Sequence, residues 1–477
     1  LSLVFCLAFA LNSCKQNIEP TISETDEETV SESNFQPITA QDMETSIIYE
    51  ANIRQYSPEG TFDAFTKDLP ELKKLGVKII WLMPIFPISE EKRKATGDLM
   101  VSDIEDEEER KKYLGSYYAV QDFKAVNPEF GTLEDFRKLL SEAHDLGMYV
   151  ILDWVPNHTG WDHHWITEHP EYYTKNSDGE ITDPLDDEGK PVGWADVADL
   201  NYDNPELRKA MIADMQYWIE KENIDGFRCD VAGSVPTDFW EEAIPRLREK
   251  KSIFMLAEAW EPELLKGELF DMCYGWDMHH VLNEIAQEKK GKDALIARLN
   301  ENEAQYENDD IIMNFVTNHD ENSWNGTIEE RMGDAAALMT TLTYVMPGMP
   351  LIYSGQEYGM RHRLKFFEKD SIPKTKAAEW DLLVKLGKLK REHPALHGGK
   401  NAAGSTVIPN EEASIFVLQR TSGKAKALLV ANLSAQSVTA KFELPFDAKE
   451  YFSREQQSAA IIEQEFPAWA YKLYITE

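Results

Sequence analysis

Tyr149-Val150-Ile151-Leu152-Asp153-Trp154-Val155-Pro156-Asn157-His158 is a continuous apolar run that stops on an acid and breaks into a loop at proline. A run without polar alternation is the pattern of a strand buried on both faces, as in a parallel sheet covered by helices. The same texture recurs outward in both directions. Upstream stand Ile47-Ile48-Tyr49 and Val77-Lys78-Ile79-Ile80-Trp81-Leu82. Downstream come Gly226-Phe227-Arg228-Cys229-Asp230-Val231 and Ile253-Phe254-Met255-Leu256-Ala257-Glu258. A weaker run, Leu269-Phe270-Asp271-Met272, precedes Ile311-Ile312-Met313-Asn314-Phe315-Val316 and Met349-Pro350-Leu351-Ile352-Tyr353-Ser354. Helical stretches separate these runs, among them 133–146, stopped by Gly147, and 205–222, opened by Pro205. Eight strands alternating with helices over about 350 residues predict a (β/α)₈ TIM barrel, an α/β fold, rather than a doubly wound sheet.

Two stretches interrupt the alternation. Residues 89–114 follow the second strand and carry an acidic run at 103–109; residues 156–201 follow the third and are rich in His, Trp, Tyr, Asp and Gly. Long loops after barrel strands emerge on the catalytic face. After Pro394 short alternating runs take over: Ala413-Ser414-Ile415-Phe416-Val417-Leu418, Ala427-Leu428-Leu429-Val430-Ala431, Val438-Thr439-Ala440-Lys441-Phe442 and Ala470-Tyr471-Lys472-Leu473-Tyr474. They predict a C-terminal antiparallel β-sandwich over 394–477 behind a barrel at 41–393 with the insertion 156–201.

The ends of the chain's strands carry its chemistry. The third ends in Asp153 before Asn157-His158, the fourth in Arg228-Cys229-Asp230, the fifth in Glu258-Ala259-Trp260, and the seventh leads into Asn318-His319-Asp320. An acid after a strand often only caps the next helix. Four acids on one barrel rim, with Arg and His between them, form a candidate catalytic site instead.

These segments resemble the conserved stretches of the α-amylase family of glycoside hydrolases. Asp153 to His158 looks like its D-x-V-x-N-H stretch, Gly226 to Asp230 its G-F-R-x-D stretch, Glu258 with Trp260 its strand-end acid, and Phe315 to Asp320 its F-x-x-N-H-D stretch. The resemblance implies that Asp230 is the nucleophile, Glu258 the general acid/base and Asp320 the third carboxylate, which holds sugar hydroxyls. It implies substrate contacts for His158, His319 and Arg228, and an aromatic platform at Tyr118. Trp260 could stack on a neighbouring sugar, and so could Trp161 and Trp165, for which core packing is an equal alternative. Asp153 reads as structural. Cleavage of a glycosidic bond needs this carboxylate and proton donor on opposite sides of an oxocarbenium-like centre. Arg228, two residues before Asp230, shares its face of the strand and would keep that carboxylate ionised.

The resemblance also implies a calcium ion with Asn157 and Asp199 among its ligands, and oxygen donors suit that ion. Against it, many relatives carry Lys-His after the nucleophile stretch where this chain has Gly233 and Ser234. The expected activity is retaining, endo-type hydrolysis of α-1,4-glucans such as starch, glycogen or maltooligosaccharides. A transglycosylase, or a hydrolase of short or cyclic glucans, and a non-catalytic glucan-binding protein are the alternatives; the last is disfavoured by the presence of all three carboxylates.

Composition agrees with a neutral sugar partner. The chain has 477 residues, 42% of them hydrophobic, and a formal net charge of -36 from 85 acidic against 49 basic residues. Nucleic acid and anionic membrane surfaces would be repelled. Four cysteines in so long a chain make no disulfide framework. Cys229 reads as a packed thiol. Residues 1–11 are nearly all apolar and run into Leu11-Asn12-Ser13-Cys14, a bacterial lipoprotein-like box, and residues 15–40 read as a polar tether. The expectation is an exported lipoprotein, periplasmic or on the outer surface, held to a membrane only by lipid on Cys14.

Overall fold

The structure, a computed structural model, describes residues 35–186 and 188–477. The apolar start, the Cys14 box and the tether as far as residue 34 lie outside the described residues. The last residues assigned to the tether do not belong to it. Ile38 is buried, Phe35 stacks on His144 with ring centroids 4.2 Å apart, and Thr39 caps a short helix, Ala40–Glu44.

Eight parallel strands close into a barrel in sequence order: β1 (Ile48–Ala51), β2 (Ile79–Leu82), β3 (Tyr149–Trp154), β4 (Gly226–Cys229), β5 (Phe254–Ala257), β6 (Met272–Tyr274), β7 (Ile311–Asn314) and β8 (Met349–Tyr353). The alternation of side chains explains why no polar face exists. Ile79 and Trp81 of β2 fill the barrel interior with Ile151, Leu256 and Met313, whereas Ile80 and Leu82 pack outward on the surrounding helices. The sixth strand begins where its expected run ended. Leu269 and Phe270 precede it, and Phe270 packs outward on Trp240 at 5.0 Å. Gly226 is required at the start of β4. Its φ is +147°, and a Cβ there would lie 1.9 Å from the Phe254 carbonyl oxygen on the neighbouring strand.

Helix Leu133–Asp145 is opened by a Thr132 capping box and ended at Gly147, where φ is +76°. Both expected insertions fold above the strand ends. The first carries a small hairpin of Lys94–Thr96 and Leu99–Met100; the second pairs His158–Gly160 with Val197–Asp199.

The C-terminal domain is a sandwich with more strands than its sequence announces. β9 (Gly404–Val407), β10 (Ile415–Ser422), β11 (Ala425–Asn432), β13 (Ala448–Glu450), β14 (Gln456–Gln457) and β16 (Tyr471–Ile475) form one sheet. β12 (Val438–Leu444) and β15 (Ala460–Phe466) form a ribbon whose Phe442, Leu444 and Phe466 pack on Val417 and Val430 of that sheet. The opposite face, with Phe416, Leu418 and Leu429, packs on Leu338, Leu342 and Leu389 of the barrel's helices. Among the described residues no helix is long and apolar enough to cross a membrane.

Candidate active site

The barrel ladder sets the site. Cys229 is opposite Ala257 in register, so the next residues, Asp230 and Glu258, leave adjacent strands side by side. The Asp230 N–H donates to the Trp154 carbonyl at 2.8 Å and the Glu258 N–H to the Cys229 carbonyl at 3.0 Å, which fixes both backbones. Arg228, expected as a substrate contact, is instead fully buried and outside the cavity lining, where it ties the acids together. Its Nη1 donates to Asp153 Oδ1 and to Asp230 Oδ1, each at 2.8 Å, and its Nη2 lies 2.9 Å from Glu258 Oε2. Trp81 and Tyr118 donate to the other Asp153 oxygen at 3.1 and 3.2 Å, and Arg228 Nε donates to the Tyr274 hydroxyl at 3.2 Å. Asp153 is thus wholly buried and spent on holding Arg228 and Tyr118, the structural part expected for it.

Val231, directly after Asp230, has φ 37° and ψ 46°. A β-branched residue in the left-handed region is strained, and such strain collects at functional sites. Here it aims the Val231 N–H at Glu258 Oε2, 2.8 Å away.

Burial, and then the Glu258 charge, push the Asp230 carboxyl well above the usual range against the pull of Arg228. Burial acts upward on Glu258 too, but Arg228 and the Val231 N–H outweigh it and hold that carboxyl low. Two buried carboxyls on one guanidinium do not ionise independently, so the two groups titrate as a linked pair. On the other side of the cavity, His319 Nε2 meets the Tyr118 hydroxyl at 2.8 Å and Asp320 Oδ2 at 3.4 Å, and its Nδ1 meets Glu50 Oε1 at 2.5 Å. Burial opposes the His319 cation, yet the charges of Asp320 and Glu50 raise its pKa to about 9. His158, by contrast, is driven to about 4 by burial and is neutral. Burial drives the Cys229 thiol well above its usual range, so it is a packed and inert group.

Glu50 is the residue that strand reading missed. A histidine whose pKa is raised on folding contributes stability that is complete below its unfolded value and lost as pH rises through about 9. Glu50→Gln removes one of the two anions responsible. The alkaline limb of kcat/KM, and the His319 NMR titration, should then move down by about 1–3 pH units. An unmoved limb and titration would contradict the assignment.

The cavity above these groups measures about 370 Å³. Tyr118, His158, Asp230, Glu258, His319 and Asp320 all line it. Trp260 does not: it stands 53% exposed beyond Glu258, its carbonyl accepting from the Tyr306 hydroxyl at 2.7 Å. Trp165 is core, and Trp161 is half-buried under Lys92, whose Nζ is 3.2 Å from the ring centre. Trp194 and Trp324, both exposed and both unforeseen, stand in the cavity wall. Trp194 comes from an irregular loop and Trp324 from a single π-helical turn, Glu321–Asn325, and no sequence signal separated either from other aromatics.

Asn157 and Asp199 lie side by side, since the Leu200 N–H donates to the Asn157 carbonyl at 3.2 Å. Burial, aided by Asp183, raises Asp199 to about 6, against a hydrogen bond from Thr174. A half-buried carboxylate with a second acid near it suits a hard cation. Among the described residues, however, no group of three or more acidic, histidine or cysteine side chains forms a metal cluster.

Sequence and structure comparisons agree with this geometry. The family model for the alpha-amylase catalytic domain matches residues 23–393, more than half of the chain. The chain is 26% identical over 435 residues to the α-amylase MalA of Haloarcula japonica, aligning 87% of itself with 59% of that protein, so it spans about three fifths of that relative's length. It is 28% identical over 335 residues to a 4-α-glucanotransferase of Thermotoga neapolitana, aligning 63% of itself with 68% of that protein. An α-amylase structure from Lactobacillus plantarum superposes with a TM-score of 0.78 at 29% identity, covering 91% of this chain and 100% of that one. The barrel, its four strand-end motifs and the matched catalytic domain together make this chain a member of the α-amylase family.

Proposed function

We propose that the protein is a retaining glycoside hydrolase of α-1,4-linked glucans. One observation carries this reading: a single buried guanidinium holds the Asp230 and Glu258 carboxyls close together in one cavity. A close pair suits retention, whereas inversion needs a wider pair with water between. The retaining reaction starts with Asp230 ionised and Glu258 protonated. The Asp230 carboxylate then attacks the anomeric carbon while the bond to the leaving oxygen breaks and Glu258 protonates that oxygen. Glu258, now a base, takes a proton from water, whose oxygen attacks the same carbon and frees Asp230. Asp320, His319 and His158 would hold the sugar's hydroxyls over the Tyr118 ring. Incubation with maltoheptaose, followed by separation of products, tests the reading: shorter maltooligosaccharides support it, and no cleavage sinks it. The glucanotransferase relative favours transfer as a second reading, in which an acceptor hydroxyl replaces water. Products longer than the substrate would reveal it.

Calcium is proposed as a structural ion at Asn157 and Asp199, with carbonyl oxygens and water completing its shell. A ligand bound only by the folded state raises stability, so chelation should lower Tm and added calcium should restore it. An unchanged melting curve and no metal by elemental analysis would remove the ion. Export as a lipoprotein rests on the apolar residues 1–11 and the box ending at Cys14. Mass spectrometry of the mature protein should find acyl groups on Cys14, and Cys14→Ala should abolish them; an unacylated N-terminus elsewhere would refute the anchor.

A further inference from the structure

Three loops meet beside the sugar-holding side of the cavity and are fastened to one another. The hairpin of the first insertion reaches the second insertion through Lys94, whose Nζ donates to the Gly193 carbonyl at 3.1 Å and lies 3.5 Å from Asp196 Oδ1. The far end of the first insertion joins the loop after β8. There the Leu114 N–H donates to the Phe367 carbonyl at 2.6 Å, and Tyr113 pairs with Glu368 in a bridge. Buried Arg54 bonds the carbonyls of Gly115 and Phe366 at 3.0 and 3.4 Å, pinning this junction to the barrel. Gln55 Nε2 adds bonds to the carbonyls of Lys365 and Glu368 at 2.6 and 2.8 Å. Lys94, Gly97, Trp194, Phe366 and Phe367 present this assembly to the cavity, and Trp324, from the turn after β7, adjoins it.

The wall's side is set by chemistry. The sugar attacked by Asp230 keeps its anomeric carbon, and the leaving sugar departs past Glu258. Phe366 packs edge-on to Tyr117, the neighbour of the platform Tyr118, at 5.5 Å. Trp324 follows Asp320 by four residues and packs on Phe366 at 5.1 Å. With Tyr118 as the platform and Asp320 holding hydroxyls of the retained sugar, as the proposed function has them, both stand on that sugar's side. Beyond Glu258, Trp260 is exposed and does not line the cavity. In an α-1,4-glucan the retained side leads to the non-reducing end.

We propose that the fastened wall closes the retained-sugar end of the cavity, so that glucans are taken by their non-reducing ends and cut to one short product of fixed length. This replaces the endo action that resemblance alone suggests, and it rests on the hydrolase reading above. The test compares three substrates of the full-length protein: maltoheptaose, maltoheptaose whose terminal O4 and O6 are bridged by an acetal, and cyclodextrin, which has no chain end. The first cut of the free substrate should give one short product of fixed length together with the chain shortened by that length, and no other pair of fragments. The blocked and cyclic substrates should react at least about 100-fold more slowly, because their excluded ends prevent correct placement. Replacing residues 94–100 by a Gly-Ser turn should restore cleavage of the blocked substrate. Equal rates on free and blocked chains, or several different fragment pairs from the first cut, would overturn the closed end while leaving the hydrolase intact. No cleavage of any of the three would overturn the hydrolase reading and this inference with it.

Discussion

Asp230→Asn should lower turnover of α-glucans by several orders of magnitude while glucan binding survives. The amide keeps the shape of the side chain, and it can still meet Arg228 Nη1, 2.8 Å from Oδ1 in the native site. What it loses is the charge that attacks the anomeric carbon, and no neighbouring acid can take over. Asp153 is buried and bonded to Arg228, Trp81 and Tyr118, and Asp320 stands with His319 across the cavity. Glu258→Gln removes the proton donor and should cost about 10²–10⁴-fold on ordinary glucans. The loss should shrink for a glucosyl fluoride, whose leaving group needs no proton, and azide should partly restore turnover by replacing activated water. Both variants should fold, since neither side chain is an apolar core contact. Wild-type turnover by Asp230→Asn would remove the residue from the chemistry.

Arg228→Ala should be the most damaging single change to the site's architecture. The side chain is fully buried and contacts the carboxyls of Asp153, Asp230 and Glu258. Its removal leaves these acids in a low-dielectric interior without their cation. Breaking a buried ion pair by removing one partner costs about 3–5 kcal/mol. Arg228→Lys should rescue little, because one ammonium cannot span three carboxyls in the plane that the guanidinium occupies. Thermal melting and kcat/KM check both. A lysine variant retaining native stability and activity would show that charge alone, not the fork, organises the site.

The barrel was legible because burial on both faces writes strands as unbroken apolar runs, and β2, β3 and β7 are such runs. β6 was read three residues early, since Leu269 and Phe270 are apolar for another reason: Phe270 packs outward on Trp240. β15 escaped notice because its ribbon is mostly solvated, with Ile461 66% exposed. The candidate catalytic acids were visible as strand-end residues in motifs. Glu50 stands in the same kind of position at β1, but its meaning comes from His319, 269 residues away, and a local pattern holds no such information. The wall that shapes the cavity was illegible for the same reason. Lys94, Trp194 and Phe366 lie on three separate loops, and only the closed barrel brings these together.

The central claim is that Asp230 forms a covalent bond to the sugar in a retaining displacement. Proton NMR of the first product released from an α-linked maltooligosaccharide, recorded before mutarotation, reads it directly. The expected signal is the α anomer, the outcome of two inversions at one carbon through Asp230. A β anomer would mean a single displacement by water, which the close, Arg228-bridged pair of Asp230 and Glu258 should not support.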